Sequence, residues 1–245
     1  MNLIATSKTK RLRWLILAFA VVHSLLIILP ALLGRQFSPI PLVTQGDALD
    51  LITPLLLIPC YWLLLRTFGE GDLSQKETFW FLIFTIIWVE GHSMHLASNS
   101  IARLAKEIPQ SQTAVLTNFY DEKLSHYLWH VGLFGLSGVL IYRQHISPLT
   151  HPFAGGYVIF GGIIHGLTCF VDIVESATVY LSFPWLLAVV LFGLFSGKKQ
   201  RQRGIKRQPI LTFFLTAYLL AMLLLLAWGW YWGGFPEFSQ LGIID

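Results

Sequence analysis

Long apolar runs, separated by short polar segments, dominate the 245-residue chain. A helix needs about 20 mostly apolar residues to cross a bilayer, and seven runs approach or exceed that length. The pattern therefore predicts an all-α integral membrane protein, a bundle of seven transmembrane helices in one polytopic domain over residues 1–245. The predicted helices cover about 13–33, 48–66, 78–104, 122–142, 155–175, 178–196 and 210–232.

The composition supports this class. Hydrophobic residues make up 55% of the chain and charged residues only 12%, against about 25% charged residues in soluble domains. Cys60 and Cys169 both lie in apolar runs and show no zinc-finger or disulfide spacing. The basic residues flank apolar runs, so we expect no nucleic-acid partner.

The basic residues also predict an orientation. If the N-terminus is cytoplasmic, thirteen of the 17 Lys and Arg fall on the cytoplasmic side, as the positive-inside rule requires. The C-terminus of a seven-helix protein then lies outside, and the expected location is the bacterial inner (plasma) membrane. The thirteen basic residues lie in segments 1–13, 66–76, 143 and 198–207.

The third predicted helix carries a polar stripe in "WVEGHSMHLASNSIAR", residues 88–103. On a helical wheel His92, His95 and Asn99 fall within about 60° of one another. Glu90 points away from that face. The helix therefore presents two imidazoles and an amide in one direction.

The next two predicted helices carry similar stripes. Glu122, His126 and His130 follow i, i+4, i+8 spacing in the fourth helix, and a His pair at i, i+4 can chelate one metal ion. In the fifth helix His165 and Asp172 share a face about two turns apart. Each of the three helices thus offers imidazole or carboxylate groups along one side.

The three stripes lie at a similar depth. At 1.5 Å rise per residue, each falls within roughly 15 Å of the predicted outer boundary. Ionisable groups in a membrane helix cost about 2.5–3.5 kcal/mol each and usually serve a function. We therefore expect the stripes to meet in one site, with a purely structural hydrogen-bond network as the alternative.

Imidazole together with carboxylate suits zinc or iron. A catalytic zinc takes three protein ligands and one water, and a carboxylate can act as general base on that water. The predicted function is a zinc-dependent hydrolase of a lipid amide or ester, with membrane lipid as substrate. The predicted metal ligands come from His92, His95, His126, His130 and His165, and the predicted catalytic carboxylates are Asp172 and Glu122.

Intramembrane His, Ser and Asp on seven helices loosely resemble the alkaline ceramidase and adiponectin-receptor hydrolases. Those families carry a His-x-x-x-His pair on the closing helix, whereas here the pair is His126 and His130 on the fourth. The resemblance covers residue types and helix number, not motif order. It implies a hydrolase without assigning membership.

Two other functions fit the same residues. A di-iron or haem oxidoreductase could use the histidines, for example His95 with His130 as haem ligands. A proton or metal-ion transporter could use the row of ionisable groups. Apolar cytoplasmic halves such as "FWFLIFTII" weigh against a path through the membrane.

Several polar residues are predicted to lie outside the site. His23, the lone histidine of the first helix, is expected to be a packing residue, and His145 and His151 to be solvated in a cytoplasmic loop. Asp47 and Asp50 precede the second predicted helix. They can favour its N-terminal dipole or face the mouth of a cavity.

Overall fold

The computed structural model describes residues 3–68, 71–105, 108–149, 155–199 and 207–243. His151 and the basic loop at 200–206 lie outside these ranges. His145, predicted to be solvated in a loop, instead lies in the last turn of a helix, His126–Ile146, with its ring edge to face against Phe192. The elements are α1 (Leu3–Leu32), β1 (Gln36–Phe37), β2 (Ile40–Thr44), α2 (Gln45–Asp50), α3 (Thr53–Thr67), α4 (Gln75–Ala105), α5 (Gln112–Asn118), a π-helical segment (Phe119–Ser125), α6 (His126–Ile146), α7 (Gly156–Glu175), α8 (Val179–Lys199) and α9 (Pro209–Trp232).

The helical bundle agrees with the predicted class. Six helical segments of the described chain are long and apolar enough to cross a membrane. The apolar part of α8, Val179–Phe195, is shorter. The six segments are Arg11–Leu32, Gln45–Thr67, Gln75–Ala105, Gln112–Ile146, Gly156–Glu175 and Pro209–Trp232.

Contacts between the helices show that consecutive long helices alternate in direction. Arg143 near the end of α6 pairs with Glu77 at the start of α4, so these helices are antiparallel. Helices α7 and α9 run parallel, since Gly162 faces Phe213 and Gly166 faces Ala217. We call the end where α1, α4, α7 and α9 begin the basal end, and the opposite end the cavity end.

The second predicted helix is divided. A two-stranded antiparallel hairpin (β1 and β2) leads into α2, whose N-cap Thr44 and Asp47 form a capping box. The helical hydrogen-bond pattern is interrupted at Leu51 and Ile52, although both keep right-handed helical dihedral angles. Helix α3 restarts with Pro54 in its first turn, where the missing amide proton costs little. The break exposes the C-terminal carbonyl of α2 to neighbouring helices.

The fourth predicted helix also departs from a regular α-helix. Its first four residues, 122–125, belong to the π-helical segment, in which hydrogen bonds run from i to i+5, and α5 precedes that segment. Side chains in this segment therefore do not follow the 3.6-residue period that the sequence analysis assumed. The segment lies beside the cavity end of α4 and contributes Asp121.

Helix α6 is the central helix, and two glycines bring α4 against it. A Cβ at Gly91 of α4 would lie 2.5 Å from the main-chain nitrogen of Trp129 on α6. A Cβ at Gly132 of α6 would lie 2.5 Å from the Trp88 Cβ of α4. The two glycines thus let the backbones of α4 and α6 approach closely at Trp88 and Trp129, and the polar stripes of the two helices come into contact.

Candidate functional site

A polar cavity of about 480 Å³ lies at the cavity end of the bundle. Its walls come from α1, α2, α4, α6, α7, the π-helical segment and the C-terminal segment after α9. Its ionisable lining consists of Asp47, Asp50, His95, Arg103, Glu122, His126, Asp172, Glu175 and Glu237. Six carboxyl groups and one arginine make it a predominantly acidic cavity.

The break after α2 accounts for the first contact between a histidine and a carboxylate. His92 Nε2 lies 2.8 Å from the main-chain oxygen of Asp50 and 3.5 Å from its Oδ1. A carbonyl oxygen can only accept, so Nε2 carries the proton and donates it. The other nitrogen, Nδ1, is buried without a hydrogen-bond partner in the described structure.

The π-helical segment accounts for the second contact. His95 Nδ1 lies 3.0 Å from Asp121 Oδ1, although the two atoms lack the alignment of a hydrogen bond. On a regular α-helix Glu122, not Asp121, would share the face of His126. Glu122 instead lines the cavity, and its main-chain oxygen accepts from His126 Nδ1 at 3.1 Å.

His130 and Asp172 form the third contact. His130 Nδ1 lies 3.0 Å from the main-chain oxygen of His126 and therefore carries a proton. Its Nε2 lies 3.4 Å from Asp172 Oδ2 and 3.5 Å from Ser176 Oγ. In a Ser–His–Asp triad the aspartate binds the ring nitrogen opposite the serine. Here both groups face one nitrogen, so this is not a triad.

Ion pairs and hydrogen bonds fix the rim of the cavity. Arg103 Nη2 donates to both carboxylate oxygens of Asp47, at 2.7 and 2.6 Å. Glu175 accepts from the main-chain N–H of Phe238 at 2.9 Å, which holds the C-terminal segment beside the cavity. Burial, and then the neighbouring Glu175, raises the pKa of Glu237 in that segment.

His165 lies deeper, away from this cavity. Its ring meets that of His23 edge to face, with centroids 4.4 Å apart, and both residues are 2% exposed. An internal cavity of about 20 Å³ joins the two rings to His130 and Asp172. His23 is buried as expected of a packing residue, but its Nδ1 has no hydrogen-bond partner among the described residues.

The structure thus brings five predicted residues together at the cavity and places two others around them. His95, His126, Glu122 and Asp172 line the cavity, and His130 contacts Asp172. Among the described residues no group of three or more His, Cys, Asp or Glu is placed to hold a metal ion. His92 binds the α2 carbonyl and His165 faces His23.

Three residues of the site, Asp121, Arg103 and Glu175, were not among the predicted site residues. Asp121 was missed because a regular helix turns it away from the His126 face. Arg103 and Glu175 were missed because their partners, Asp47 and Phe238, lie far away in sequence. Asp50 was identified as a group that could face the cavity mouth, and it does line the cavity.

Comparison of the chain with protein-family models, curated proteins and solved structures gives no match. The chemistry of the site is therefore the basis for a functional proposal.

Proposed function

We propose that the protein is a membrane-embedded, metal-dependent hydrolase that cleaves an amide or ester bond of a lipid at the cavity end. The contact between His130 and Asp172 carries this proposal. His130 Nδ1 donates its proton to a carbonyl, so in the neutral ring Nε2 presents a lone pair to Asp172 Oδ2 at 3.4 Å. Two lone pairs at that distance repel unless a proton or a metal cation lies between them.

Zinc is the cation that best suits these donors. His126 and His130 have their Nδ1 protons bound to main-chain carbonyls, the arrangement that orients the Nε2 atoms of metal-binding histidines. His95 can supply the third nitrogen, since its ring centroid lies 4.9 Å from that of His126. Among the described residues three such donors do not converge on one point, so metal binding requires side chains of the cavity to rearrange.

The carboxylates provide the acid–base chemistry. Asp172 and Glu122 both line the cavity, where either can take a proton from water and return it to the leaving group. A bound zinc would supply polarisation of the water and of the scissile carbonyl. The Ser176 hydroxyl, which donates to the main-chain oxygen of Asp172 at 2.6 Å, would stabilise a developing oxyanion if it turned its proton toward the cavity.

The charge of the cavity favours one substrate class. Six carboxyl groups and Arg103 line it, and Asp47 already neutralises that arginine. A phosphate headgroup would meet net negative charge. The preferred substrates are therefore lipids with a neutral or cationic headgroup, such as N-acyl amides and glycerides, and a volume of about 480 Å³ suits a headgroup rather than a whole lipid.

The membrane arrangement belongs to the same proposal. Helix α8 supplies the seventh crossing although its apolar part is short. Only residues 176–178 separate it from α7, so α8 turns back alongside α7 through the membrane. The basal end, which carries most of the positive charge, faces the cytoplasm. The polar cavity then opens in the outer leaflet of a bacterial inner membrane.

Proton transfer is a second candidate, favoured by the His23–His165 pair. The internal cavity places these two imidazoles beyond Asp172, toward the middle of the bundle. Tyr218 continues in the same direction and donates to Ser137 Oγ at 2.8 Å. A chain of titratable groups of this kind can relay protons.

The proposal can be tested on protein purified in mild detergent. We expect about one zinc per chain by mass spectrometry, and release of fatty acid from neutral amide or ester lipids. His126→Ala and His130→Ala should lose both properties, whereas His145→Ala at the basal end should keep both. Hydrolysis that survives complete metal removal would contradict the metal requirement. Absence of both metal and hydrolysis would favour proton transfer, measurable as proton flux into liposomes.

A further inference from the structure

We infer that a groove on the flank of the bundle binds one acyl chain of an anionic glycerophospholipid, with Lys76 holding the headgroup. The groove has a volume of about 800 Å³ and lies between α4, α6 and α8. It is separate from the polar cavity, and its occupation does not depend on the proposed hydrolase function.

The shape of the groove follows from the spacing of its helices. Helix α8 packs mainly on α9 and contacts α6 only sparsely, so α4 and α8 stand apart on either side of α6. Gly135 and Gly138 form part of the floor on α6. A Cβ at Gly138 would lie 3.0 Å from the Trp185 ring, so a larger side chain there would fill the space.

The walls are aromatic. Trp80 and Phe84 of α4 stack with centroids 5.7 Å apart. On the other side Trp185 of α8 stacks on Phe134 of α6 at 6.0 Å. These flat apolar surfaces suit a flexible hydrocarbon chain, which gains dispersion contacts along its whole length.

The length of the groove suits an acyl chain. On α6 the groove extends from Val131 to Tyr142, about 16 Å at 1.5 Å per residue. A single extended acyl chain can lie along a groove of that length.

The charge at the basal end selects the headgroup. Lys76 lines the groove there, is exposed, and forms no ion pair with another described residue. The adjacent Glu77 is already bound to Arg143, so it does not neutralise the lysine. A free ammonium group at the membrane surface attracts anionic lipid by about 1 kcal/mol, which is about a fivefold preference.

Native mass spectrometry of the detergent-solubilised protein can count bound lipid. Phosphatidylglycerol and phosphatidylcholine with identical acyl chains are titrated in parallel. We expect about fivefold tighter binding of phosphatidylglycerol, and loss of that preference in Lys76→Met. Lys123→Met, which removes a lysine at the other end, should retain it.

A second pair of variants tests the chain site. Ala188→Trp places a large side chain inside the groove and should weaken binding of both lipids. Leu187→Trp adds similar bulk to the next residue of α8, which is 38% exposed and outside the groove, and should not. Unchanged binding in Ala188→Trp would overturn the groove assignment. A lipid preference that persists in Lys76→Met would overturn the headgroup assignment.

Discussion

The buried polar and charged groups at the two ends of the bundle differ in how completely they are hydrogen-bonded. At the basal end, Glu77 accepts from Arg143 Nη1 through both carboxylate oxygens at 3.2 Å and from the Ser74 main-chain N–H at 2.7 Å. Arg143 also donates to the main-chain oxygens of Gly71 and Asp72. We call this group the basal ion pair. It has one fixed geometry, and most of its polar atoms have partners.

At the cavity end, buried groups keep unused hydrogen-bonding capacity. Nδ1 of His92 has no partner in the described structure, and Nε2 of His130 lies 3.4 Å from the Asp172 carboxylate. A buried polar atom without a partner costs about 1–3 kcal/mol. The comparison indicates that the basal ion pair stabilises the fold, whereas the histidines retain capacity that a bound ligand, ion or proton can use.

Breaking the basal ion pair should have the largest effect on stability. Glu77→Gln leaves the Arg143 guanidinium, 6% exposed, without its counter-charge, and we expect a loss of about 3–5 kcal/mol in the free energy of unfolding. Equilibrium unfolding in detergent measures this loss. Lys76→Met, one residue away on the surface, should change stability by less than about 0.5 kcal/mol. Comparable losses in the two variants would refute the structural role.

The equivalent change at the cavity end should affect activity instead. Asp172→Asn can still donate an amide hydrogen to His130 Nε2, so we expect a stability change below about 1 kcal/mol. Hydrolysis should fall by about 10²–10⁴-fold, because the amide cannot accept a proton. Fatty-acid release and unfolding of the same preparation measure both effects. If stability falls while activity remains, the two ends do not differ as proposed.

The sequence predicted the helical segments well, because apolar run length is a strong local signal. The stripe of His92 and His95 on α4 is also retained, since that helix is regular. The sequence did not predict the π-helical segment, which brings Asp121 to His95. An i to i+5 pattern depends on tertiary contacts, so an ideal wheel cannot anticipate the shift.

One long-range contact and one local hairpin account for the other differences. His23 was expected to be a packing residue because it is the lone histidine of its helix, yet α1 and α7 pack so that it meets His165. Residues 36–44 form a hairpin at the cavity end that no apolar alternation indicated. The hairpin is a local structure, but the partner of His23 lies far away in sequence, and the periodicity of one helix does not encode which helices become its neighbours.

The approach of α4 to α6 determines whether the histidine stripes meet. Gly132→Ala would place a Cβ 2.5 Å from that of Trp88, and we expect a loss of about 1–3 kcal/mol from overpacking. Activity should also fall, because α4 carries His92 and His95. Gly156→Ala, with open space around its Cβ, is the matched control and should be neutral. Unfolding free energy and fatty-acid release distinguish the two variants.

The smallest expected effect concerns the turn that ends α7 beside the cavity. Ala177 has φ 51°, a left-handed conformation that costs a non-glycine residue about 1 kcal/mol. The N–H of Thr178 bonds to the oxygen of Ile173, and that of Ala177 to the oxygen of Val174, the two bonds of a Schellman motif. Ala177→Gly should therefore stabilise the protein by up to about 1 kcal/mol, measured by equilibrium unfolding. Because the turn already holds Ser176 in place, hydrolysis should stay unchanged, and a marked change in rate would mean that this turn moves during the reaction.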